Sequence, residues 1–180
     1  MTAPLPDFRQ DYFTLFDLPV SFRLDELALE QRYRDLQGQV HPDRFAHLPE
    51  SERRLAMQWS TQVNEAWQTL RNPLRRVRYL LSLQGVDTQE ETNTAMPMDF
   101  LMQQMEWREA IAEARQASDL AALDALEGRL AHEGRTLRDS LAVLLDEERD
   151  YAAAAGVVRK LKFMEKLAED LSSAFDAMDN

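Results

Sequence analysis

Cysteine is absent from this chain of 180 residues. Its absence excludes a disulfide framework, thiolate zinc sites, a cysteine nucleophile and ligation of an iron-sulfur cluster by the chain's own thiolates. Glycine is scarce, at five residues, and no alternating apolar and polar run is long enough to make a convincing strand. No stretch approaches the run of about 18 apolar residues that a membrane span needs. The opening residues, Met1 to Asp7, carry neither a basic n-region nor an Arg-rich transit pattern. The expectation is an unprocessed, soluble, cytoplasmic protein.

Lysine is missing from residues 1–80, and the charge is skewed along the chain. Residues 1–80 hold 11 Asp and Glu against 11 Arg, whereas residues 81–180 hold 21 Asp and Glu against 10 Lys and Arg. The whole of the −11 net charge therefore lies in the second part. Such a balance argues against nucleic-acid binding, because phosphate contacts need clustered Lys and Arg. The asymmetry suggests two modules, and the 3.6-residue periodicity suggests that both are helical.

The pattern predicts a short helix over Asp11–Phe16, ending before Pro19. A second helix starts near Asp25 as N-cap and runs to about Gln39, with Leu29, Tyr33, Leu36 and Val40 in one stripe. A third covers Glu50–Leu70, with Leu55, Trp59, Val63, Ala66, Trp67 and Leu70 on its inner side, so that the two long helices form a hairpin. A fourth follows Pro73 and stops before Gly85. The polar segment Gly85–Pro97 is read as a linker. Three more helices, Pro97–Ala117, Asp119–Arg149 and Tyr151–Met178, suit a three-helix bundle, the middle one carrying Gly128 and Gly134 at some cost in stability. The last of them reads as a core stripe of Leu161, Met164, Ala168, Leu171 and Phe175.

Between the second and third helices stands His41-Pro42-Asp43. As a turn it is ordinary chemistry, since proline fixes φ and aspartate caps. A metal site from His41, Asp43 and His47 is disfavoured by Pro42 and by the lack of a further histidine nearby. A catalytic His-Asp pair lacks a nucleophile with any signature, so no catalytic residue, metal or cofactor is expected. A tripeptide of this kind between two hairpin helices, after a short helix, resembles the J-domain family, which stimulates ATP hydrolysis by DnaK-type chaperones. The resemblance implies that His41, Pro42, Asp43 and Arg44, with Arg32 and Arg34 on the preceding helix, contact such an ATPase. Arg44 stands where lysine is commoner in that family.

The fifth helix has too many apolar residues for one stripe. Phe100, Trp107, Ile111 and Ala114 share one face at about 100° per residue, and Leu101, Met102, Met105 and Ala112 lie on another among Glu106, Glu109 and Glu113. The second set either packs on the hairpin module or forms a Met-rich acidic surface for a partner. On the last helix Phe163 lies about 100° off the core stripe, among Lys160, Lys162 and Lys166.

Five segments carry a narrower resemblance: Tyr12–Phe16, Asn64–Leu70, Tyr79–Leu83, Phe100–Met102 and Val158–Phe163. In this order and spacing the chain resembles the HscB family, J-domain co-chaperones of bacterial iron-sulfur cluster assembly. The resemblance implies a J-domain over 1–84, a linker over 85–96 and a three-helix scaffold-binding bundle over 97–180. It further implies two partners, the DnaK-type chaperone HscA and the cluster scaffold IscU. Leu101, Met102, Met105, Glu106, Arg108, Glu109 and Phe163 fall at the family's scaffold-binding positions, with Met105 where leucine is usual and Gln103 where glutamate is. A general J-domain co-chaperone presenting unfolded clients is the alternative, and the missing glycine-rich and cysteine-rich regions tilt against it.

Overall fold

The computed structural model describes residues 10–47, 49–90, 92 and 96–178, apart from the side chain of Pro42. Met1–Asp7 and positions 91 and 93–95 of the expected linker lie outside the described residues. Among the described residues all regular structure is helical: α1 Tyr12–Leu15, α2 Glu26–Val40, a 3-10 turn Pro42–Phe45, α3 Glu50–Arg71, α4 Pro73–Leu83, α5 Met98–Ala117, α6 Leu120–Ala142, a π-helical stretch Val143–Glu148, and α7 Tyr151–Asp176. Two compact units result, Met1–Leu80 and Leu81–Asn180.

In the first unit, α2 and α3 pack as a hairpin. Tyr33 of α2 stacks on Trp67 of α3 with ring centres 4.5 Å apart. Its hydroxyl donates to Asn64 Oδ1 at 2.9 Å and accepts from Gln37 Nε2 at 2.9 Å, so the phenol joins the helices by both its face and its tip. Tyr12 stacks on Tyr79 at 4.4 Å, and the Tyr12 backbone N–H donates to the Tyr79 hydroxyl at 2.9 Å, which ties α1 to α4. Burial raises both phenol pKa values, helped at Tyr12 by the charge of Glu65. The buried Arg76 donates to the carbonyl of Leu70, near the end of α3, at 2.8 Å and lies over the Phe22 ring.

Leu55 is not on the inner side of α3. Ala56 takes that place and Leu55 is 41% exposed, in a helix whose buried positions run 56, 59, 63, 66 and 70. The 3-10 turn packs against α3 as well, so a small side chain suits this face.

The second unit is the expected three helices. Phe100, Trp107, Ile111 and Ala114 of α5 are buried, and so is Gln104, a polar residue that completes their stripe. Its amide Nε2 has no hydrogen-bond partner, a defect that costs about 1–3 kcal/mol. On α7 the buried residues are Ala154, Ala155, Val158, Leu161, Met164, Leu167, Leu171 and Ala174, whereas Ala168 is exposed and Phe175 only half-buried. From Val158 to Leu167 the buried positions step by three, short of a full turn, so the buried face winds round the helix and leaves the straight stripe.

One turn device recurs. A helix ends in a residue with positive φ, the next N–H reaches back five residues, or six after the π stretch, and where an aspartate follows it caps the next helix. Ser118 has φ 52°, Asp119 N–H donates to the Ala114 carbonyl at 2.9 Å, and the Asp119 carboxylate accepts from Ala122 N–H. Arg149 has φ 57°, Asp150 N–H donates to the Leu144 carbonyl at 2.9 Å, and Asp150 accepts from Ala153 N–H. The middle helix therefore reaches Glu148, as its periodicity implies, but its last turns are widened into the π stretch.

Gly128 lies exposed within α6, and a Cβ built there meets nothing within 4 Å. Gly128→Ala is expected to stabilise the protein by about 1 kcal/mol in denaturant unfolding. A loss of stability would contradict the helical placement.

Candidate functional site

The hairpin brings α2 to an end at Val40, and the residues that follow bond to one another as the chain reverses. His41 Nδ1 accepts from the backbone N–H of Asp43 at 3.3 Å, and the Arg44 N–H donates to the His41 carbonyl at 3.0 Å. Nδ1 is thus the acceptor nitrogen and Nε2 the ring's donor. The Asp43 carboxylate stands 3.6 Å from Nδ1, and the side chains of His41 and Asp43 are 54% and 90% exposed. Arg44 donates to the Gly38 carbonyl at 2.8 Å, closing one of the open carbonyls at the end of α2.

The arginines of α2 are paired at the surface. Arg32 donates to Asp17 Oδ2 at 2.6 Å, and Arg34 donates through two nitrogens to Glu30 Oε1 at 3.2 and 3.1 Å. The structure therefore gathers His41, Asp43 and Arg44 in one exposed turn and sets Arg32 and Arg34 on the preceding helix. Nothing further is described for the Pro42 side chain, whose backbone opens the 3-10 turn.

The second surface is what α5 leaves over. With Phe100, Gln104, Trp107, Ile111 and Ala114 turned inward, the other residues fan across the opposite half of the helix. Met102 is 58% and Met105 71% exposed; Glu106, Arg108 and Glu109 are exposed and Leu101 half-buried. Thioethers beside carboxylates make an adaptable apolar surface with negative charge at its edge. Phe163 stands on α7, which packs on α5, and Lys160 of α7 lies 5.2 Å from the Phe100 ring centre. Half-buried, Phe163 lines a groove of about 380 Å³ with Arg159, Lys162, Lys166, Glu165 and Glu169. The Arg159 guanidinium reaches the Thr88 carbonyl at 3.0 Å. Among the described residues no cluster of three His, Asp or Glu side chains could hold a metal ion, and no helix is long and apolar enough to cross a membrane.

A family model described as the HSCB C-terminal oligomerisation domain matches residues 96–172. The co-chaperone protein HscB homolog of Aromatoleum aromaticum is 56% identical over 96% of this chain and 98% of that protein. Among solved structures, the chaperone HscB from Vibrio cholerae is 39% identical with a TM-score of 0.82, covering 94% of this chain and 99% of that one. The human co-chaperone protein HscB is 34% identical with a TM-score of 0.86, covering 93% and 83%. At these identities, over nearly the full length of both partners, the chain belongs to the HscB family of co-chaperones.

Proposed function

We propose that this protein is an adaptor for iron-sulfur cluster assembly, which holds the scaffold IscU on its second unit and brings it to the ATPase chaperone HscA through its first. Residues 1–84 act as the J-domain, 85–96 as the linker and 97–180 as the scaffold-binding bundle. His41, Pro42, Asp43 and Arg44, with Arg32 and Arg34, face HscA. Leu101, Met102, Met105, Glu106, Arg108, Glu109 and Phe163 face IscU. The protein works in the cytoplasm and is not itself an enzyme.

The observation that carries the reading is the outward half of α5. A helix with a filled core face still exposes Met102 and Met105 beside carboxylates, and an exposed apolar patch of this kind is where a protein partner docks. The cluster is the scaffold's cargo, since this chain has no cysteine to bind it. The histidine loop supplies a separate contact: an Nε2 donor and an exposed carboxylate on a capped backbone. Coupling follows if the scaffold and the loop both favour the same state of HscA, because a partner shifts an equilibrium only by its differential affinity.

His41→Gln is expected to abolish stimulation of HscA ATP hydrolysis and to leave IscU binding unchanged by calorimetry. Met105→Ala combined with Phe163→Ala is expected to weaken IscU binding by about 2–4 kcal/mol, the range of anchor residues, while stimulation without scaffold persists. Loss of both activities in either folded variant would show that the two surfaces do not divide the work.

A further inference from the structure

Each arginine of α2 is paired at close range with a carboxylate of the chain itself, on different sides of the helix. Arg32 closes on Asp17 at 2.6 Å, fifteen residues earlier in the sequence, and Arg34 closes on Glu30 one turn back on α2. Asp17 is fixed by its backbone: φ is 54°, its N–H donates to the Thr14 carbonyl, and Leu18 N–H donates to the Phe13 carbonyl. Its carboxylate is held where Arg32 meets it, on the wall of a groove of about 310 Å³ that also carries Asp35. Arg44 differs, because its partner is a carbonyl and its charge stays uncancelled. Of the three arginines on α2 and its loop, two are thus neutralised by carboxylates of the chain itself.

We infer that Asp17 and Glu30 are internal competitors, which keep Arg32 and Arg34 self-paired until an acidic surface of the ATPase chaperone displaces them. The inference rests on the reading of α2 and its loop as the chaperone-facing surface. Both pairs are solvent-exposed, with side-chain exposures of 49% and 81% for Arg32 and Asp17 and of 73% and 41% for Arg34 and Glu30. Exposed pairs of this kind are weak enough to exchange. An arginine already ordered by one carboxylate also loses less freedom on moving to another. The device holds down affinity at rest and favours a partner whose carboxylates replace one pair or both.

The test is single-turnover ATP hydrolysis by HscA, titrated with the wild-type protein, Asp17→Asn, Glu30→Gln, the double variant and His41→Gln. Asparagine tolerates positive φ and glutamine keeps the helix, so each variant retains the fold. Each single variant is expected to lower the half-maximal concentration by about 1.5- to 5-fold, the span measured for exposed pairs, and the double variant by about the product. The gain should shrink as salt rises from about 0.1 M to about 0.5 M, where charges act over shorter distances. If the wild type stimulates through His41 but the carboxylate variants bind no better, or bind worse, self-competition is overturned and the pairs merely position the arginines. If the wild type fails to stimulate, the chaperone-facing reading falls and takes the inference with it.

Discussion

A helix that packs on its neighbours along one side must present the rest of its circumference to something else, and both candidate surfaces of this protein are consequences of that constraint. In α5 the inner side is filled by Phe100, Gln104, Trp107, Ile111 and Ala114. Met102 and Met105 then have no place in the core and are left exposed among Glu106, Arg108 and Glu109. In the first unit, Tyr33 stacked on Trp67 holds α2 to α3, so the chain between them is a short exposed reversal. Side chains of that reversal meet nearby backbone groups, His41 the Asp43 N–H and Arg44 the Gly38 carbonyl. Neither surface needs a special fold; each is the remainder of ordinary helix packing.

The two units differ in how they treat charge. The first has equal numbers of arginines and carboxylates and pairs several of them locally. The second carries the acidic excess, with carboxylates bordering the methionines of α5 and its three lysines together on α7 around Phe163. Such a division suits two different partners, because a charge pattern that suits one repels the wrong one.

Much of this was legible in the residues. The all-helical class, the breaks at Pro73 and Gly85, the double character of α5 and the off-stripe position of Phe163 all follow from spacing, since 3.6-residue periodicity reports which side of a helix each residue occupies. Periodicity does not report what lies opposite. Gln104 sits on the buried side of α5 but reads as polar, and Ala168 and Phe175 continue a straight stripe that the winding contact of α7 abandons. The pairing of Arg32 with Asp17 joins residues in different elements and has no local signature at all. The widened turns over Val143–Glu148 likewise lie at a helix end, where the N–H groups of Arg149 and Asp150 both reach back to the Leu144 carbonyl, and have no signature in any one side chain.

Coupling of scaffold capture to chaperone hydrolysis through two separate surfaces is tested by single-turnover ATP hydrolysis by HscA with this protein alone, with IscU alone and with both together. The two together are expected to accelerate hydrolysis by more than the product of their separate effects. Rates that merely multiply, or an IscU that leaves the stimulation unchanged, would contradict it.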